Sequence, residues 1–197
     1  MYYDKGELDT ALNYYNRSLV IKEELGDKRG LAYSLYKIGV AKTDKGDYDK
    51  ALEYYKSSLA IAEEIGHKHS IALNVNNIGM THFRKCDYKK AAEHLEKLLN
   101  IQKEIGWKGL ELETTTYLYL SYKHLGKDYD VKEIHSLIKE TENIEFDLNF
   151  GLYQLLEDIS YLETAYNQVQ EKASAMDEEL AAKFLSYPIP KAIVEEW

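Results

Sequence analysis

The side chains with the widest chemical repertoire lie in one short run of this 197-residue sequence, NVNNIGMTHFRKC. His82 and Cys86 are four residues apart, which puts an imidazole and a thiol on one face of a helix. Two ligands fall short of the four that a structural zinc site takes. His94 falls on the following segment, and Cys86 is the single cysteine. The run therefore reads as a histidine packed between paired helices and a cysteine standing where a turn glycine belongs. His67 and His69 flank Lys68 in a connection and read as solvated. No glycine-rich phosphate loop, serine elbow or HExxH pair occurs. The abundant carboxylates are what long exposed helices ordinarily carry. The expectation is no catalytic residue, no cofactor and no metal; catalysis would have to come from a separate domain.

The elements that hold these residues follow from composition and period. Hydrophobic residues make up 45% of the chain, as in an ordinary folded protein, and Pro188 and Pro190 are its two prolines. Everything before them is free to be helical. A net charge of -9 gives no electrostatic footprint for nucleic acid and disfavours an anionic membrane surface. The polar start MYYDKGELDT has no apolar signal core, and no run reaches the roughly 18 apolar residues of a membrane span. A lone cysteine fits a reducing, cytoplasmic setting. Eighteen tyrosines supply core volume that still carries a hydroxyl in need of a partner.

The dominant feature is a repeat of forty residues. KGELDTALNYYNRSLVIKEELG returns as KGDYDKALEYYKSSLAIAEEIG and KCDYKKAAEHLEKLLNIQKEIG. Gly6, Gly46, Cys86 and Gly126 share one rung. Ala11, Ala51 and Ala91 share another, as do Gly26, Gly66 and Gly106. Tyr48, Ala51, Leu52, Tyr55, Leu59 and Ala62 fall on one helical face, with Asp47 as N-cap and Gly66 as a left-handed stop. Each unit is thus two antiparallel helices of about 18 residues, roughly 27 Å long. One hairpin cannot bury its apolar face alone, so the units must stack. Glu23-Glu24, Glu63-Glu64 and Glu104 sit in last turns, where the helix dipole disfavours them. The Lys28, Lys68 and Lys108 rung is the expected partner.

IGVAKTDKGDYDKALEYYKSSLAI and IGMTHFRKCDYKKAAEHLEKLLNI resemble tetratricopeptide repeats. The pattern is carried by Ile38-Gly39, Gly46-Asp47-Tyr48, Ala51 and Tyr55, then by Ile78-Gly79, Asp87-Tyr88, Ala91 and Leu95. A forty-residue unit is similar to the long-helix variant of spindle-orientation scaffolds, kinesin light chains and peptide-sensing bacterial regulators. The resemblance implies an all-α, right-handed α-α superhelix: repeats over residues 1–145, then a degenerate terminal repeat and helical cap over 146–197. Gly39 and Gly79 would permit close helix approach. Tyr119 replaces that glycine in the fourth unit, whose packing should be looser or its helix angle different. Ile189, Ile193, Val194 and Trp197 are expected to fold back as the cap.

In this family the first helix of each pair lines a concave groove. Helical spacing on that basis offers Tyr33, Tyr36, Lys37 and Val40 from one helix. The next offers Asn76, Asn77, Met80 and Arg84, and the third Thr116, Tyr117, Leu120, Lys123 and His124. Amides suit a peptide backbone, tyrosine and methionine suit apolar side chains, and the cations suit acidic ones. The implied function is non-catalytic binding of a protein or peptide. A regulatory or dimerisation arm of a larger signalling enzyme is the alternative, since the final stretch also resembles the closing part of bacterial multidomain signalling proteins. The N-terminal helix should expose apolar surface, covered either by more of a longer chain or by a second copy in a homodimer.

Overall fold

The computed structural model describes residues 8–197, so Tyr2, Tyr3, Asp4 and Gly6 lie outside the described residues. Among the described residues the chain is all-α, the class expected. The chain forms two compact units that meet in sequence at Gly106 and Trp107. The first holds α1 (Leu8–Glu24), α2 (Lys28–Asp44), α3 (Tyr48–Glu64), α4 (Lys68–Arg84) and α5 (Tyr88–Ile105). The second holds α6 (Glu111–Leu125), α7 (Val131–Glu140), α8 (Phe146–Leu156), α9 (Ile159–Ser174), α10 (Glu178–Leu185) and α11 (Pro188–Glu196).

In the first unit each helix packs on the next in the chain, and local chemistry sets the ends. Asp27 and Asp87 cap α2 and α5 by accepting from the backbone N–H of Gly30 and Lys90, at 2.9 and 3.4 Å. His67 takes the same role for α4, its Nδ1 accepting from Ser70 N–H at 3.3 Å. Gly26, Gly46, Gly66 and Gly106 end their helices in the left-handed region, and Cys86, on the rung of Gly46, adopts the same conformation at φ 58°. A side chain in that region is strained relative to glycine.

The forty-residue translation reappears as paired contacts. Lys28 bonds Glu64 and Lys68 bonds Glu104, joining the start of one helix to the end of its partner. Lys45 bonds Asp9 and Lys85 bonds Asp49, joining the other ends. Two of the glutamates that oppose the dipole, Glu64 and Glu104, thus meet lysines of the expected rung. Both kinds of pair need helices running antiparallel. Their next copies would pair Lys108 with residue 144 and residue 125 with residue 89, but the sequence has Ile144, Leu125 and Lys89. The charge ladder stops where the first unit stops. A buried polar rung behaves alike: Ser18 meets Ser34 at 3.1 Å and Asn74 donates to Ser58 at 3.0 Å, whereas the next copy is Leu98 and Thr114.

Close approach has one decisive instance. A methyl on Gly39 would lie 2.6 Å from the ring of Tyr55, a distance no real contact tolerates. Tyr55 is wholly buried. At Gly79 the nearest atoms belong to Leu95, at 3.1 Å, and an aliphatic chain can yield a little.

The second unit is built differently. Tyr119, on the glycine rung, donates to Glu133 of α7, stacks on Tyr122 with ring centroids 6.0 Å apart and tilts against Tyr129 at 5.5 Å. Burial, reinforced by the Glu133 carboxylate, holds its phenol well above the usual tyrosine range. A ring where a glycine would allow contact holds α7 off, and Ile134 is the one α7 residue that is fully buried. Close approach passes to Gly151 of α8, where a methyl would meet the Tyr117 ring at 3.2 Å. A separate core gathers Phe150, Leu162, Val169, Phe184 and Ile193 from α8 to α11. Of the four residues assigned to fold back, Ile193 is buried and Ile189 packs on that core. Trp197 stacks on Tyr166 at 5.3 Å while half exposed, and Val194 faces solvent.

Gly39→Ala is therefore expected to destabilise the protein by about 1–3 kcal/mol through overpacking, despite the better helix propensity of alanine. Gly79→Ala should stay within about 1 kcal/mol of the parent, because the propensity gain offsets the milder contact. Cys86→Gly should stabilise by about 0.5–1 kcal/mol by removing left-handed strain. Urea unfolding of the three variants checks all three signs.

Candidate functional site

The thirteen residues placed in a groove by spacing divide between the two units, and each set stands by itself. In the first unit α2 and α4 carry them. Tyr33 is 60% exposed on α2. The Lys37 ammonium lies 5.5 Å from its ring centroid and 5.9 Å from that of Tyr36. Cation–π contacts of this kind hold a charge over apolar surface without removing it from water. Tyr36 in turn tilts against Tyr55, with centroids 6.0 Å apart. Val40 is half-buried over the cluster of Ala51, Leu52, Tyr55 and Ile78.

Asn77 turns out to be a structural hub. Its Nδ2 donates to the Leu73 carbonyl at 2.9 Å and to the Tyr36 hydroxyl at 3.3 Å. The Tyr55 hydroxyl lies 3.4 Å from Asn77 Oδ1 and 3.0 Å from Thr43 Oγ1. Burial drives the Tyr55 phenol far above the usual tyrosine range, so it stays a neutral hydroxyl at any physiological pH. Thr43 is not among the residues that spacing singles out, and spacing assigns Tyr55 to the apolar face of its helix, not to a polar network. Their part in the network requires knowing that α2, α3 and α4 converge. Asn76 and Met80 are buried, and Asn76 Oδ1 has no hydrogen-bond partner. Arg84 is half-buried on the last turn of α4.

In the second unit the α6 residues are mostly packed. Thr116 and Leu120 are buried, and Thr116 Oγ1 donates to the Leu112 carbonyl at 2.7 Å. Tyr117 is 6% exposed and donates to the Asp147 carbonyl at 3.0 Å, unlike the exposed position expected of it. Lys123 donates to the Gln154 carbonyl at 2.9 Å and pairs with Glu157 at 2.7 Å. His124 is exposed.

The histidine run resolves as packing. His82 is 8% exposed and stacks on His94, with centroids 5.5 Å apart. Its Nδ1 lies 3.7 Å from Asp87 Oδ2. No group of three or more His, Cys, Asp or Glu able to hold a metal occurs among the described residues. Among them, too, no helix is long and apolar enough to cross a membrane.

A family model described as the tetratricopeptide repeat matches residues 1–64 and 31–104. Together these ranges span just over half of the chain. The chain belongs to the tetratricopeptide-repeat family. The match ends where the charge ladder ends. The repeat chain is similar in fold to the apo form of RapI, with a TM-score of 0.72 and 19% identity, covering all of this chain and 81% of that one. It is similar to a Rap protein complexed with Competence and Sporulation Factor, at 0.66 and 19%, covering 99% of this chain and 61% of that one. A kinesin-light-chain protein of Podosopora anserina with nearly identical TPR-like repeats aligns at 0.57 and 16%, covering 99% and 90%. At these identities the likeness is one of fold. A search of curated proteins finds no match.

The buried histidine makes the repeat stack sensitive to acid. Burial, with the neighbouring His94 charge, holds the His82 imidazole below its ordinary value of 6.5, against the pull of Asp87. The unfolded chain then binds protons more readily than the folded one. Stability should be full above about pH 6.5 and fall as the pH drops toward the depressed folded value. Melting temperatures between pH 7.5 and 5 should fall more steeply in the parent than in His82→Gln. Equal slopes would contradict this.

Proposed function

We propose that this tetratricopeptide-repeat chain is a non-catalytic interaction module of the cytoplasm, and that the α2–α4 face of its first unit holds a peptide or protein segment. The observation that carries the reading is the Tyr33–Lys37–Tyr36 cluster. Two aromatic rings and a cation sit together, with Tyr33 exposed well beyond what a packed residue of α2 needs. Tyrosine combines apolar area with a polar tip at low entropic cost, which suits it to binding surfaces. Lys37 would favour a ligand with an acidic side chain or carboxylate near an apolar one. The network behind the cluster fixes Tyr36 through Asn77, so the surface is preorganised and loses little entropy on binding. The complex of a Rap protein with Competence and Sporulation Factor supports the reading by likeness of fold. The exposed α1 is a second surface, through which two copies would associate.

Asn77 and Tyr117 are unsuitable probes, because both are committed to packing. Tyr33→Ala with Lys37→Ala removes the exposed part alone, and surface changes of this kind ordinarily alter stability by less than about 0.5 kcal/mol. Peptides selected from a displayed random library against the parent should lose at least tenfold in affinity for the double variant. Selected peptides that bind both proteins equally would overturn the placement on this face.

A further inference from the structure

The outer stripe of α1 has no covering helix within the described residues, and its side chains specify their own partner. Tyr14, Arg17, Ile21 and Glu24 follow one another at intervals of three, four and three, and so form a single stripe along the helix. Leu8, Ala11 and Leu12 mark the other side, which is buried. Ile21 is 52% and Leu25 71% exposed, with Val20 beside them at 52%. The forty-residue translation tells what such a stripe ordinarily meets. On α3 the equivalent Ile61 is half-buried and the equivalent Glu64 is bonded to Lys28. On α5 the equivalent Glu104 is bonded to Lys68. Glu24 is in no ion pair among the described residues. Neither is Arg17, whose guanidinium lies 6.0 Å over the ring of Tyr14.

We propose that this stripe is the interface of a homodimer in which α1 packs antiparallel on α1 of a second copy. The argument is self-complementarity, the property that a two-fold interface demands. Arg17 and Glu24 lie seven residues apart with Ile21 between them. A two-fold axis passing by Ile21 brings Ile21 onto Ile21 and sets Arg17 of each copy beside Glu24 of the other. Every Arg17 and Glu24 of the dimer is then paired, in two symmetry-related ion pairs at the rim of an apolar centre completed by Val20 and Leu25. Opposite charges that flank a seam of this kind fix orientation and partner choice. No cation is needed from any other molecule.

Sedimentation equilibrium of the full chain tests this. The parent should show the mass of two copies, and Ile21→Glu the mass of one with an unchanged far-ultraviolet dichroism spectrum. Arg17→Glu alone and Glu24→Arg alone each juxtapose like charges and should weaken self-association at least tenfold. Mixing these two variants in equal amounts pairs every charge with its opposite, and should restore a dimer containing one of each. A parent that has the mass of one copy at every concentration overturns the proposal and assigns the stripe to a different occupant. A dimer that ignores both charge reversals overturns it as well, by placing the interface elsewhere.

Discussion

A tyrosine ring pressed against bare backbone sets the first helix pair. Tyr55 can lie on α2 because Gly39 presents no side chain, and the 2.6 Å that a methyl would leave makes that absence a condition of the fold. Burying the ring also buries a hydroxyl, and an unpaired buried hydroxyl costs more than a bond to it returns. Thr43 and Asn77 answer that need from α2 and α4. One steric concession thus draws three helices together. The outer end of the network is Tyr36, at the protein surface, so the same constraint that spaces the helices also holds the ring beneath Lys37.

The rest of the first unit repeats the helix pair forty residues on, with Leu95 in place of the ring beneath Gly79, and with modest interactions in register. Each exposed ion pair is worth well under about 1 kcal/mol, so the ladder does little for stability. Its value is in register: Lys28 with Glu64 and Lys68 with Glu104 are satisfied together at one alignment of the helices. Beyond Gly106 the translation fails in charge, in the buried polar rung and at the glycine position. The second unit then builds its core on α8 and α9 around Phe150, Leu162 and Val169, with no periodic anchor.

Much of this is readable before any coordinates. A period of forty, glycines on one rung and Asp before α2, α3 and α5 define the helix pairs, because each rests on local backbone chemistry. The replacement of a turn glycine by Cys86 and of the helix glycine by Tyr119 could be read for the same reason. Other features depend on which helices converge. Spacing placed Asn77 and Tyr117 on an open face, but a polar side chain looks the same in sequence whether water or Tyr36 satisfies it. Tyr117 packs because Gly151, thirty-four residues on and outside the repeat, offers it room. The division at Gly106 was hidden too, since the motif fades gradually while the paired contacts stop at once.

The most direct test of the account is a double-mutant cycle between Gly39→Ala and Tyr55→Leu, measured by urea unfolding. If the ring under the glycine is the governing contact, the alanine should cost at least about 1 kcal/mol less once Tyr55 is leucine, a coupling typical of residues in contact. Additive effects, with the same cost for the alanine beside tyrosine or leucine, would contradict it.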